Sequence, residues 1–106
     1  MWALYGIYEG SARFQRYTLD PASKDDPFPG LRLVSETPAK AGDFDAVEPR
    51  SMHLPVFPPE GGSVIIVVYD GQLDSVVRQG YLRETRQPVK FKGQFPSRNT
   101  IVAEPV

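Results

Sequence analysis

Ser63-Val64-Ile65-Ile66-Val67-Val68-Tyr69-Asp70-Gly71 is the most strongly patterned stretch of the chain. Six consecutive residues, Val64 to Tyr69, are large and apolar or aromatic, and five of them are β-branched. Branching at Cβ restricts χ1, which disfavours a helix and favours extended backbone. Successive strand side chains alternate between the two faces of a sheet. An unbroken apolar run therefore calls for cover on both faces. Val64–Tyr69 is thus expected as the central, doubly buried strand of the fold. It is far shorter than the roughly 20 apolar residues needed to span a bilayer as a helix.

The segment after this strand decides the fold class, and two readings of it compete. Asp70-Gly71 between apolar runs is a type I′ hairpin signal. Against it, Leu73, Val76, Val77, Gly80 and Tyr81 recur at i, i+3, i+4, i+7 and i+8, the spacing of one helical face. Asp70 could accept from the orphan amides of a first helical turn. The helical spacing predicts a helix over 72–82, packed on one side of the central strand. The fold expected is α+β, a mostly antiparallel sheet of five or six strands with that one helix on a face. An all-β barrel or sandwich is the alternative if Asp70-Gly71 turns a hairpin.

Upstream, Trp2–Tyr8 and Ala12–Leu19 are β-patterned and joined by Glu9-Gly10-Ser11, which predicts an N-terminal hairpin. Asp20–Gly30, with three prolines, reads as a loop. Leu31–Thr37 alternates as a third strand that Pro38 ends. Ala39–Pro49 reads as irregular, with room for one helical turn at Asp43–Val47. Arg50–Phe57 is a short strand that Pro55 confines to an edge or bulge. Pro58–Gly62 is a turn. Downstream, Val89–Phe95 alternates beside Lys90 and Lys92, as a half-exposed strand near an edge does. Thr100–Ala103 is a last short strand. No repeat or heptad pattern is present, and the motifs carry no resemblance to a known family.

The 106 residues fit one domain, taken as 1–106, and 41% hydrophobic with 24% charged residues is an ordinary globular balance. Without cysteine there is no disulfide, thiol catalysis or thiolate-bound zinc. No leader-like segment is visible, so the cytoplasm is the expected compartment. The net charge of −1 conceals an asymmetry. Residues 1–70 sum to −4 and residues 71–106 to +3, with six basic residues and one acidic residue between Arg78 and Arg98.

Catalytic signals are weak. His53 is the single histidine, and its possible companions are the acidic loop residues Asp43, Asp45 and Glu48, in no defined metal spacing. A structural hydrogen bond is the expected role. Asp20, Asp25 and Asp26 lack the regular spacing of a calcium loop. Gly61-Gly62-Ser63 precedes a strand, whereas phosphate-cradling loops come after one. No G-x-S-x-G elbow surrounds Ser11 or Ser63. An enzyme acting through His53 and loop carboxylates is therefore ranked last. No metal or cofactor is expected.

Two surfaces remain. Trp2, Tyr5, Tyr8 and Tyr17 crowd the N-terminal segment, and Tyr and Trp are favoured at protein interfaces. The first functional expectation is a non-enzymatic interaction module that contacts a protein partner, or itself as a homodimer, through these aromatics. The second is nucleic-acid binding through segment 78–98, with Arg83, Arg86, Lys90 and Lys92 on phosphates. Alternation sets Phe91 opposite the lysines, and a pI near 5.8 is low for a dedicated DNA binder. No membrane contact is expected.

Overall fold

A computed structural model describes residues 1–21, 25, 28, 30–93 and 99–104. Nine strands form in chain order: β1 Ala3–Glu9, β2 Ser11–Asp20, β3 Gly30–Lys40, β4 Phe44–Val47 and β5 Met52–Val56, then β6 Val64–Tyr69, β7 Arg78–Leu82, β8 Pro88–Phe91 and β9 Thr100–Ala103. They build two antiparallel sheets. One has the order β4-β1-β6, the other β3-β2-β5-β9-β7-β8. This is an all-β arrangement of two open sheets, so the expectation of an α+β fold with a helix over 72–82 is corrected.

The helical spacing fails for a specific reason. Leu73–Ser75 makes a single 3-10 turn, its preceding residue Gln72 gives no side-chain cap, and Val76 is already extended. Asp70 does not cap it either, since its carboxylate accepts from the Trp2 backbone N–H at 3.0 Å. From Arg78 the chain pairs on both sides, with β8 and with β9. The inward positions of β7 are Arg78 and Gly80, both buried. One is charged and the other has no side chain, so strand alternation there is invisible to a hydropathy pattern. Gly80 is required by its neighbours: a Cβ would come within 2.6 Å of Thr100 Cγ2 and 3.2 Å of the Ile101 carbonyl oxygen.

Two further expectations give way. Trp2–Tyr8 and Ala12–Leu19 do not form a hairpin, because β1 pairs with β4 and β6 while β2 pairs with β3 and β5. Gly10, at φ +81°, turns the chain from one sheet into the other. The two strands then meet face to face, with the Tyr5 and Phe14 rings 6.4 Å apart. The Ser63 hydroxyl locks this corner, donating to the Ser11 carbonyl at 2.6 Å. Nor is Val64–Tyr69 central: among the described residues β6 is an edge strand paired only with β1.

Prolines sit where one side of a strand is unpaired, and Pro38 does not end its strand as expected. Pro38 lies within β3, on the outer edge of the six-stranded sheet. Pro55 pairs with β2, while the β5–β9 ladder covers only Met52 and His53. A residue without an N–H is tolerated at both places. Segment Asp43–Val47 supplies β4 rather than a helical turn.

The core lies between the sheets. Ala3, Tyr5, Ile7 and Val47 from the small sheet meet Ala12, Phe14 and Ala39 from the large one, with Ile65, Val67 and Tyr69 packed alongside. Arg16 on β2 ties the layers together, gripping both carboxylate oxygens of Asp45 on β4 at 2.7 and 2.8 Å. A second cluster, Met52, Leu54 and Ile101, occupies the other face of the large sheet beside Tyr17 and Tyr81. No helix among the described residues is long and apolar enough to cross a membrane.

Candidate functional site

Two places carry unusual chemistry, one inside the sandwich and one outside it. Inside, Glu104 comes directly after β9 and is fully buried with Arg78. Its Oε1 accepts from His53 Nε2 at 2.8 Å and from Arg78 Nη2 at 2.9 Å. The Arg78 guanidinium lies 5.3 Å from the ring centroids of both Tyr69 and Phe91, a double cation–π contact. The Tyr5 ring meets His53 edge-on at 5.3 Å, and its hydroxyl lies 3.2 Å from that of Tyr69.

Burial acts to raise the Glu104 pKa, but the His53 hydrogen bond and the Arg78 charge outweigh it, and the net direction is down. Glu104 is therefore an ionised carboxylate, which can only accept, so His53 carries its proton on Nε2. Burial, reinforced by Tyr69, raises the Tyr5 hydroxyl well above its usual value and keeps it protonated. The side chains of His53, Arg78 and Glu104 are buried, while Tyr69 is partly exposed. The bonds of Glu104 to His53 and Arg78 hold the end of β9 against β5 and β7. The Glu104 backbone strengthens this hold, its carbonyl accepting from Arg50 N and its N–H donating to the Ser51 carbonyl, both at 2.9 Å. His53 thus has the structural bond expected of it. Its partner is Glu104, while Asp45 is committed to Arg16 and Asp43 accepts from the Lys40 backbone N–H. Among the described residues no three His, Asp or Glu side chains gather as metal ligands.

Outside, the three-stranded sheet turns one face to solvent. Register places Leu4 between Ala46 and Val68, and Gly6 between Phe44 and Ile66. These outward residues carry no charge. Phe44 is 73% exposed and Ile66 57%, while Val64 and Val68 are each nearly half exposed. Tyr8, in the bulge where β1 slips against β6, is 70% exposed, and Trp2 stands just ahead of β1 at 44%. The apolar run of β6 is thus divided: Ile65, Val67 and Tyr69 turn toward the core, and Val64, Ile66 and Val68 turn away from it.

Of the four aromatics singled out from sequence, Trp2 and Tyr8 lie on this face. Tyr5 is only 2% exposed and belongs to the core. Tyr17 is half-buried on the far side of the large sheet, where its hydroxyl donates to Gln15 Oε1 at 2.6 Å. Burial raises its pKa against the opposing pull of Arg83. Phe44 escapes sequence reasoning because it sits in a segment that reads as irregular; its alternation with Asp43 and Asp45 is the available signal. Val64, Ile66 and Val68 escape because the unbroken run reads as internal on both faces.

The basic segment is divided as well. Arg78 and Phe91 are buried together, so neither meets a nucleic acid. Arg83, Lys90 and Lys92 are exposed and Arg86 half-buried, around the β7–β8 hairpin. Phe95 and Arg98 lie outside the described residues, as does Asp26. A cleft of about 530 Å³ opens where β5 and β9 part, lined by Leu54–Pro59, Gly61–Ser63, Ile65, Asn99 and Thr100. Among the described residues its walls carry no ionisable side chain. Comparison of the chain with protein-family models, with curated proteins and with solved structures finds no match.

Proposed function

We propose that this chain is a non-enzymatic protein-interaction module of the cytoplasm whose contact surface is the outer face of the β4-β1-β6 sheet. The observation that supports this is the contiguity of Trp2, Leu4, Phe44, Ile66 and Val68 on a face whose centre bears no charge, with Glu9 opposite Val64 and Asp70 beside Trp2 at its ends. Seven such side chains, with Tyr8 and Val64, offer on the order of 600 Å² of apolar surface, the upper end of what a monomer's largest patch reaches. Patches of that size mark contact sites. Burial of the His53–Glu104–Arg78 cluster favours a binding role over a catalytic one.

The test is a photo-activatable residue placed at position 44, with position 90 as the control. On illumination in cells, position 44 gives adducts with protein, whether this chain or another, and position 90 does not. Absence of adducts at position 44 overturns the proposal.

A further inference from the structure

The contact face has a relief as well as an area. Gly6 lies at its centre with Phe44 and Ile66 as registered neighbours on either side. A Cβ at Gly6 would meet nothing closer than the Ile66 carbonyl oxygen at 3.8 Å. The backbone there is ordinary extended strand, so no turn or strain calls for glycine. What the missing side chain leaves is a hollow, directly beside Phe44, the most exposed large apolar side chain among the described residues.

Resting on the reading of this face as a contact surface, we infer that its occupant is a second copy of the same chain. The two small sheets pack face to face about a two-fold axis, each Phe44 entering the Gly6 hollow of the other copy. Three observations point this way. A knob and a hollow one strand apart are complementary to themselves under two-fold rotation, where residue i meets j and j meets i. The face has no charge at its centre, so a like copy meets no repulsion there. Its area also suits a dimer: on the order of 600 Å² per copy approaches the roughly 800 Å² per partner of standard interfaces. The product is a four-layer stack in which the apolar run of β6 has cover on both faces, with the two small sheets about 10 Å apart.

Sedimentation of the purified chain over a range of concentrations tests this, using the wild type, Phe44→Ala and Gly6→Val. The wild type is expected to reach twice the mass of one chain. Removing the knob or filling the hollow should each weaken the dimer about 30-fold or more, the effect of losing a central anchor. Neither variant should lower the unfolding midpoint of the dilute monomer, since Phe44 is exposed and valine suits a strand better than glycine. A wild type that stays monomeric, or a dimer that both variants leave intact, overturns the inference. If the monomeric wild type still gives photo-adducts at position 44 with a different protein, the second copy is rejected and the contact face stands. No adducts and no dimer reject both.

Discussion

Replacing Glu104 with glutamine probes the polar cluster that joins the sheets. Glutamine keeps the size and a carbonyl that can still accept from His53, but it removes the charge that balances Arg78. Both side chains are fully buried, so water cannot take over. Breaking one partner of a buried pair costs about 3–5 kcal/mol, because the other charge stays behind in a low-dielectric interior. The aromatic rings of Tyr69 and Phe91 remain on Arg78 and hold the cost toward the lower end. For a domain of this length that loss lowers Tm by roughly 12–20 °C. The assay is denaturant unfolding at neutral pH of Glu104→Gln, Arg78→Met and the double variant. Removing both charges should cost about 2 kcal/mol less than the two single losses together, within the usual range of coupling between contacting residues. Additive losses, or a Glu104→Gln variant within about 1 kcal/mol of wild type, would refute the claim that the pair is coupled in the core.

The same carboxylate sets a pH response. Its folded pKa lies below its ordinary 4.5, so its contribution is complete above 4.5 and fades as pH falls through the lower folded value. Acid titration of stability should therefore show a loss below 4.5 in the wild type that is smaller in Glu104→Gln. Tyr5→Ala empties a core position and should cost about 3–5 kcal/mol, whereas Tyr8→Ala should stay within about 0.5 kcal/mol; thermal melts of both check this. Gly10→Ala sets a Cβ 2.7 Å from Ser63 Oγ at a positive φ, and unfolding should show a loss of about 2 kcal/mol. Lys90→Glu with Lys92→Glu, both exposed, should leave Tm nearly unchanged; steeply salt-dependent oligonucleotide binding that this pair abolishes would instead revive the nucleic-acid reading.

Much of the strand content is legible in the chain because it arises from local pattern. The run of β-branched residues sets the bounds of β6, and alternation about Lys90 locates β8. The illegible part is held by tertiary contacts. The strand at Arg78–Leu82 faces inward with a guanidinium and a glycine, a combination that mimics a polar stripe and lets the helical spacing of Val76, Val77 and Tyr81 prevail. Hydropathy cannot foresee that Glu104, at the far end of the chain, makes burial of Arg78 acceptable. The corner at Gly10 resembles a hairpin turn because local sequence does not say whether the next strand pairs beside the first or crosses over it.

The site is half legible for a related reason. The aromatic N-terminal segment draws attention, yet Tyr5 and Tyr8 differ only in which side of β1 they occupy, and sequence does not fix that side. The inference that Val64–Tyr69 needs cover on both faces is physically sound. The structure contradicts it all the same, since Val64, Ile66 and Val68 are exposed on an edge strand. The inner face of β6 meets the core and its outer face is exposed, the face proposed above as the contact surface.

That division can be measured strand position by strand position, because the chain has no cysteine of its own. Single cysteines at residues 64 to 69 would be reacted with a thiol-specific reagent in dilute protein. Fast labelling at 64, 66 and 68 with slow labelling at 65, 67 and 69 is the predicted result, and the fast positions should slow as a partner covers them. Equal protection along all six positions would place β6 inside the fold and contradict the account.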